Sequence, residues 1–439
     1  MLLMGRRDER RRWRAAAVSA VVLWAFAAHA AKSNEKKTPA EVAPVPAARI
    51  AVAPLGFLPP SPAYLHLRLS WASLNFIDKN HLLFTFHVNQ LLQRSPEDMA
   101  GGNDQMIRAD VLDIATGKVL QTAEWRMFDR GRYIWGLRDG KFVVRRRNAL
   151  YLMDSSLDLK PYLMFNSELQ GLEISPERTL MMLEVKKVLS VAEGDREKNA
   201  PSLLERGERP TGLLTRTEMV LLHPGERTVL ARAELRLPQA LPLMDDGILE
   251  SIEGSSSKQW LIEKEGPGKK LEKEGNVLSA CAPQLQPLSG DVALAETCPL
   301  NGENGSTVVA MKMGGEVLWW DKWQSRYIWP TFEYSEDGSR FAYESMQADR
   351  DIGTMDEFGE ADIVAQPVGV FDTDTGRLVL VEDATPILSE GQNFALSADG
   401  REFAILRGGA IEVYDLPAVE KQPAGKSASE RVSKSAGHR

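Results

Sequence analysis

The sequence predicts an all-β protein assembled from copies of one small sheet, and three observations lead there. First, the body of the chain is a succession of short runs in which apolar and polar residues alternate. Examples are HLLFTFHV from His81, TLMMLEV from Thr179, STVVAMKM from Ser306 and IEVYDL from Ile411, each bounded by Gly, Asp, Ser, Asn or Pro. Half-buried strands joined by tight turns give this pattern. Second, segments recur: FEYSEDGSRFAY from Phe332 aligns with FALSADGREFAI from Phe394, and DIATGK from Asp113 aligns with DTDTGR from Asp372. Third, GKVLQTAEW from Gly117 matches GEVLWWDKW from Gly315, and the same tetrapeptide, RYIW, follows each copy, at Arg132 and at Arg326.

Placed in order, these pieces describe one repeating unit. A first strand runs into an S-x-D-G turn and a second strand, a third strand ends in D-x-x-T-G, and a fourth leads to the next copy. Weaker S-x-D-G copies begin at Glu173 and Pro287. Stacking such units buries their apolar faces against one another, the arrangement of a β-propeller. On these motifs the chain resembles the broad WD40-like, TolB-like and quinoprotein-type repeat propellers. IEVYDL is similar to the third strand of a WD40-type blade, and DIATGKVL and GEVLWW to quinoprotein-type repeats. The resemblance covers most of residues 50–417 and implies a fold rather than one activity.

First strands are expected near Leu74, Ile134, Leu172, Pro242, Leu285, Ile328 and Asn393, giving seven four-stranded antiparallel blades. The last copy supplies only three strands, so ARIAVAPL around Ile50 is expected to complete it and close the ring, removing a free sheet edge. Insertions at Ser95–Asp104, Ser190–Gly212 and Gln347–Asp362 are expected on one rim. Each RYIW opens a blade, so Trp135 and Trp329 are expected to wedge between neighbouring sheets.

The remaining segments set the boundaries. Residues 1–30 combine a basic start, an apolar run of about thirteen residues and a small-x-small site at Ala28-His29-Ala30, the pattern of a cleaved export signal. Residues 31–48 form an Ala/Pro/Lys-rich lead-in, 49–417 the propeller and 418–439 a basic disordered tail. The protein is therefore expected to be periplasmic or secreted, with no membrane span after cleavage. Losing the signal's six Arg, one Asp and one Glu takes the formal charge from −8 to −12. So acidic a body repels phosphate backbones, which argues against a nucleic-acid partner.

Two cysteines remain, Cys281 and Cys298. If Ser289-Gly290 is a two-residue turn, the flanking strands put these two directly opposite, close enough for a disulfide in an oxidising compartment.

Catalytic patterns are scarce. No G-x-S-x-G elbow occurs, since GSSSK at Gly254 lacks the final glycine. The quinone-stacking adjacent cysteine pair of quinoprotein dehydrogenases is not present, and no histidines have chelating spacing. Asp349 and Asp351, in the acidic insertion DRDIGTMDEFGEAD, have the oxygen-rich character of a calcium loop, the one cofactor this sequence suggests. Trp319, Trp320 and Trp323 form a dense aromatic run that would serve as a contact hot spot if exposed and as packing if buried.

The expected function is a non-catalytic binding scaffold for an envelope or extracellular protein, peptide or glycan. The alternative is an enzyme using the central channel, either a lyase or a degenerate quinoprotein-type oxidoreductase. Ionisable side chains converging in the channel with shifted pKa values would favour the enzyme, and a small or aliphatic lining would oppose it.

Overall fold

The computed structural model describes residues 44–419, apart from 61–70, 91, 93–104, 129–130, 191–214, 269–270, 301–305, 324–326, 353–356, 358–361 and 389–391, and the side chains of 327–329. It is a ring of seven antiparallel sheets. Six follow the chain as simple meanders, blade 1 running through Ala72–Asp78, His81–Val88, Gln105–Asp113 and Val119–Met127. The first strands of the later blades are Ile134–Gly136, Leu169–Ile174, Gln284–Pro287, Tyr327–Tyr334 and Phe394–Leu396, in blades 2, 3, 5, 6 and 7. Blade 7 takes its fourth strand from the chain's beginning: Ala48–Ala51 pairs antiparallel with Ala410–Asp415, Ile50 opposite Ile411. The ring is thereby closed by the segment that the sequence offers for this purpose.

Seven apolar clusters fill the seven spaces between neighbouring sheets. Leu83 and Trp125 of blade 1 meet Ile134 and Phe142 of blade 2, and Val143 of blade 2 meets Leu183 of blade 3. The last cluster joins Leu74 and Phe84 of blade 1 to Ala404 and Val413 of blade 7. Alternation explains this: each strand presents one set of side chains to the blade before it and the other set to the blade after it, so both faces are apolar.

The repeated motifs are turn chemistry. In S-x-D-G the serine is buried and its hydroxyl caps the turn. Ser397 Oγ accepts the N–H groups of Arg401 and Glu402 at 3.1 and 2.9 Å, and Ser175 Oγ those of Thr179 and Leu180 at 3.2 and 3.0 Å. In D-x-x-T-G, Asp113 Oδ1 accepts from the backbone and hydroxyl of Thr116 at 2.8 and 2.6 Å, and Gly117 takes the left-handed φ of 65° that ends the turn.

Two local expectations need correction. Blade 4 has three full strands, Ile248–Glu253, Gln259–Glu265 and Glu272–Leu278; its expected first strand at Pro242 shrinks to one bridge, Leu243 with Ile248. Pro238 and Pro242 carry no N–H to give to a ladder. The Ser289-Gly290 turn is also one residue longer than expected. Leu288 N–H reaches Val292 O at 2.8 Å, and Leu285 pairs with Ala295, a register shifted by one. Cys281 and Cys298 are bonded all the same, with Cα atoms 5.6 Å apart, but beyond the end of the ladder rather than across it. Ser279 Oγ holds that corner by accepting the N–H of Cys298 at 2.9 Å.

RYIW opens blade 2, and its second copy opens blade 6. Tyr133 is fully buried, its hydroxyl sharing a 2.5 Å hydrogen bond with Thr85, and burial pushes the phenol up to about 12. Trp135 packs in the cluster between blades 2 and 3. The side chain of Trp329 lies outside the described residues.

Candidate functional site in the central channel

The seven first segments surround a cavity of about 360 Å³. Each blade contributes to its wall: Asn75, Arg132, Glu173, Leu243, Gln286, Glu333 and Gln392, in blade order. Four charged side chains therefore converge, Arg132, Glu173, Arg178 and Glu333, on a wall that also carries apolar residues such as Trp135, Leu243, Leu285 and Phe332.

Most of this charge is paired across the ring. Arg132 Nη2 donates to Glu333 Oε1 at 3.1 Å, from blade 2 to blade 6, while its Nε holds Ile134 O at 3.2 Å. Arg178 Nη1 pairs with Glu336 Oε1, from blade 3 to blade 6, and also donates to Leu137 O at 3.1 Å. The second pair lies in the S-x-D-G turns, and more links cross the same mouth. Arg138 Nε donates to Glu177 O at 2.7 Å, and Glu177 Oε1 accepts the N–H of Gly290 at 2.9 Å. A Cβ on residue 290 would stand 2.6 Å from that carboxylate oxygen, so a side chain there would push the Glu177 carboxylate aside. Contacts from blades 2, 3, 5 and 6 thus cross the turn-side mouth.

Glu173 is the exception. Among the described residues nothing donates a hydrogen bond to its carboxyl, and only the charges of Arg132 and Glu184 act on it. The carboxyl keeps accessible surface because it faces the lumen, yet protein rings it. That enclosure pushes its pKa up, Arg132 pulls it back, and Glu184 pushes it further up. Tyr334, bonded to Gln286 Nε2, is raised by burial and by Glu333.

Gln392 stands on the opposite part of the wall. It is 7% exposed, both polar atoms of its carboxamide lack a partner among the described residues, and its backbone has a left-handed φ of 68°. Such strain in a non-glycine residue costs of order 1–3 kcal/mol, and it persists only where the surroundings enforce it. Behind the wall lies a buried polar chain. Thr331 donates to Glu344 Oε2, Gln366 Nε2 to Glu344 Oε1 at 2.8 Å, and Asn393 Nδ2 to Gln366 Oε1 at 2.9 Å. Burial raises Glu344 to about 7.

The residues singled out by sequence lie elsewhere. Trp319 and Trp323 pack between blades 5 and 6: the Trp319 indole donates to Thr373 O at 2.8 Å, and Trp323 stacks on Tyr343 at 4.5 Å. Trp320 points the other way and is 42% exposed, so the three tryptophans share no single surface. Asp349 and Asp351 are exposed, with 353–356 and 358–361 of their insertion outside the described residues, and among the described residues no three His, Cys, Asp or Glu converge as metal ligands. The insertion at Ser95–Asp104 lies wholly outside the described residues, and that at Ser190–Gly212 does so except for Ser190. Each of the three insertions joins the second strand of a blade to the third, so all leave the ring on the face away from the S-x-D-G turns.

No protein-family model matches the sequence, and no curated protein matches it. Among solved structures, the chain is similar to an acylaminoacyl peptidase from Pyrococcus horikoshii, at 13% identity and a TM-score of 0.44, covering 83% of this chain and 54% of that one. This chain thus spans just over half the length of that peptidase. An oligogalacturonate lyase in complex with manganese is similar at 14% identity and a TM-score of 0.41, covering 79% and 96%. The C-terminal WD40 domain of Sif2 is similar at 11% identity and a TM-score of 0.33, covering 78% and 91%. No helix among the described residues is long and apolar enough to cross a membrane.

Proposed function

We propose that this chain is an exported, non-catalytic propeller that binds a protein segment, peptide or glycan of the envelope or extracellular space at its central channel. The observation that carries this reading is the pairing of the channel's charges. Arg132 is held by Glu333 and Arg178 by Glu336, so two of the groups best suited to activate a substrate are already neutralised by protein. Contacts cross the turn-side mouth, and approach is expected from the insertion face. Loops on a rigid scaffold commonly carry recognition, and three insertions leave the ring on that face.

A central-channel enzyme is the second reading. It is favoured by Glu173, whose raised pKa and open position in the lumen suit a general acid or base.

One experiment separates the two. The secreted form is immobilised, exposed to envelope extract and culture fluid, and the retained material is followed by mass spectrometry. The expected protein mass corresponds to a chain starting at Ala31. The expected ligand is retained with its own mass unchanged over hours. Substituting Arg132→Gln together with Glu333→Gln is expected to reduce retention at least tenfold. A product mass growing with time would establish the enzyme instead, and retention indifferent to the double substitution would remove the channel from the account.

A further inference from the structure

We infer that the channel holds a subsite for a protonated primary amine beside an amide group, with Glu173 receiving the ammonium and Gln392 the amide. This rests on the channel being the ligand site.

Two independent observations point to it. Glu173 is the one lumen-facing carboxyl of this cluster left without a donor: Glu333 and Glu336 are each held by an arginine across the ring, whereas Glu173 has only the more distant charges of Arg132 and Glu184. The carboxylate keeps accessible surface in the lumen, so a ligand's ammonium group can reach it and make a charge-assisted hydrogen bond. Gln392 supplies the second. It offers a carboxamide, one acceptor and two donors, that nothing among the described residues satisfies although the residue is 93% buried. A carboxamide is complementary to another amide, and Glu173 and Gln392 line the same cavity, so a small ligand carrying an amine and an amide has a partner for each. Neither observation is needed by the fold. Apolar contacts hold the blades together, and the strained φ of Gln392 costs stability that a glycine at this position would recover.

The size agrees. About 360 Å³ is at the small end of ligand cavities, enough for an amino-acid amide or the first residues of a peptide. Trp135 and Phe332 give that group apolar walls, and a longer chain would leave by the insertion face. The same chemistry therefore has two sources, a free small amino amide or the amino terminus of a peptide.

Isothermal titration calorimetry on the mature protein tests this with three probes: alaninamide, tetra-alanine, and tetra-alanine acetylated at its amino terminus. Saturable binding of an unacetylated probe is expected, with acetylation weakening it at least tenfold. Binding of tetra-alanine well beyond alaninamide would assign the site to peptide termini, and the reverse to small amino amides. Glu173→Gln is expected to weaken binding at least tenfold while leaving thermal unfolding close to the parent. Gln392→Gly is expected to weaken binding while the protein becomes no less stable, a combination that a structural role for Gln392 would not give. Equal binding of the acetylated probe, or indifference to Glu173→Gln, would overturn the amine subsite and leave the channel reading standing. Absence of binding by any probe at millimolar concentration would overturn it too. The channel reading itself falls only if the Arg132 and Glu333 substitutions also leave retention of the captured ligand unchanged.

Discussion

Replacing Arg340 with alanine is expected to lower the free energy of unfolding by about 3–5 kcal/mol, the usual cost of removing one partner from a buried ion pair. Arg340 is fully buried on the second strand of blade 6. Its Nε pairs with Asp372 Oδ1 at 2.9 Å, Nη1 donates to Gly400 O at 2.7 Å, and Nη2 donates to Pro417 O. One side chain thus ties blade 6 to the first turn of blade 7 and to the strand's exit from the ring. Alanine leaves the buried Gly400 carbonyl without this donor and frees the Pro417 carbonyl at the surface. Arg377 still reaches Asp372, at 2.8 Å, which keeps the loss from being larger. Lysine is expected to recover less than half, because an ammonium cannot supply the planar fork that serves three acceptors in different directions. Urea unfolding measures both variants. A loss under about 1 kcal/mol for the alanine variant would show that this inter-blade bolt matters little.

Glu344→Gln is expected to change how stability depends on pH. The carboxyl titrates near 7 in the folded protein because it is desolvated, against 4.5 for the free group. Between those values the folded chain holds a proton that the unfolded chain has released. The stability that Glu344 contributes is therefore complete below about pH 4.5 and is lost as pH rises through 7. The full difference is about 3 kcal/mol, from about 1.36 kcal/mol for each pKa unit. Glutamine keeps an acceptor for Thr331 or Gln366 and cannot ionise. Relative to the parent, the variant should gain about 3 kcal/mol on going from pH 4 to pH 8, measured by denaturant unfolding at both. A difference that does not change with pH would place the titration elsewhere.

Much of the fold was legible because it is written locally. A buried serine capping a turn and an aspartate closing D-x-x-T-G leave the same letters in several copies, and strand alternation supplies the period. The errors are local too. Prolines at 238 and 242 removed a ladder that the spacing promised, and one extra turn residue moved the register around Cys281 and Cys298 while the pair itself still bonded.

The channel was not legible, for a reason of topology. Its ion pairs join residues 201 and 158 positions apart, one from each of two blades facing across the ring, so no spacing rule could join them. A trace existed in the repeated turns. The S-x-D-G turn holds Glu177 and Arg178 at its third and fourth places in one copy and Glu336 at its second place in another, opposite charges in the same turn of two copies. RYIW was read as packing, which describes Tyr133 and Trp135, while its arginine at 132 reaches into the channel. Gln392 left no signal, since a lone glutamine ahead of a strand looks like any surface residue.

A crystal structure of the mature protein with its captured ligand tests the central claim most directly. The account predicts ligand density inside the ring, touching Glu173 and Gln392, with Arg132 and Glu333 still paired beside it. Ligand seated on the outer strands, with only water between Glu173 and Gln392, would contradict it.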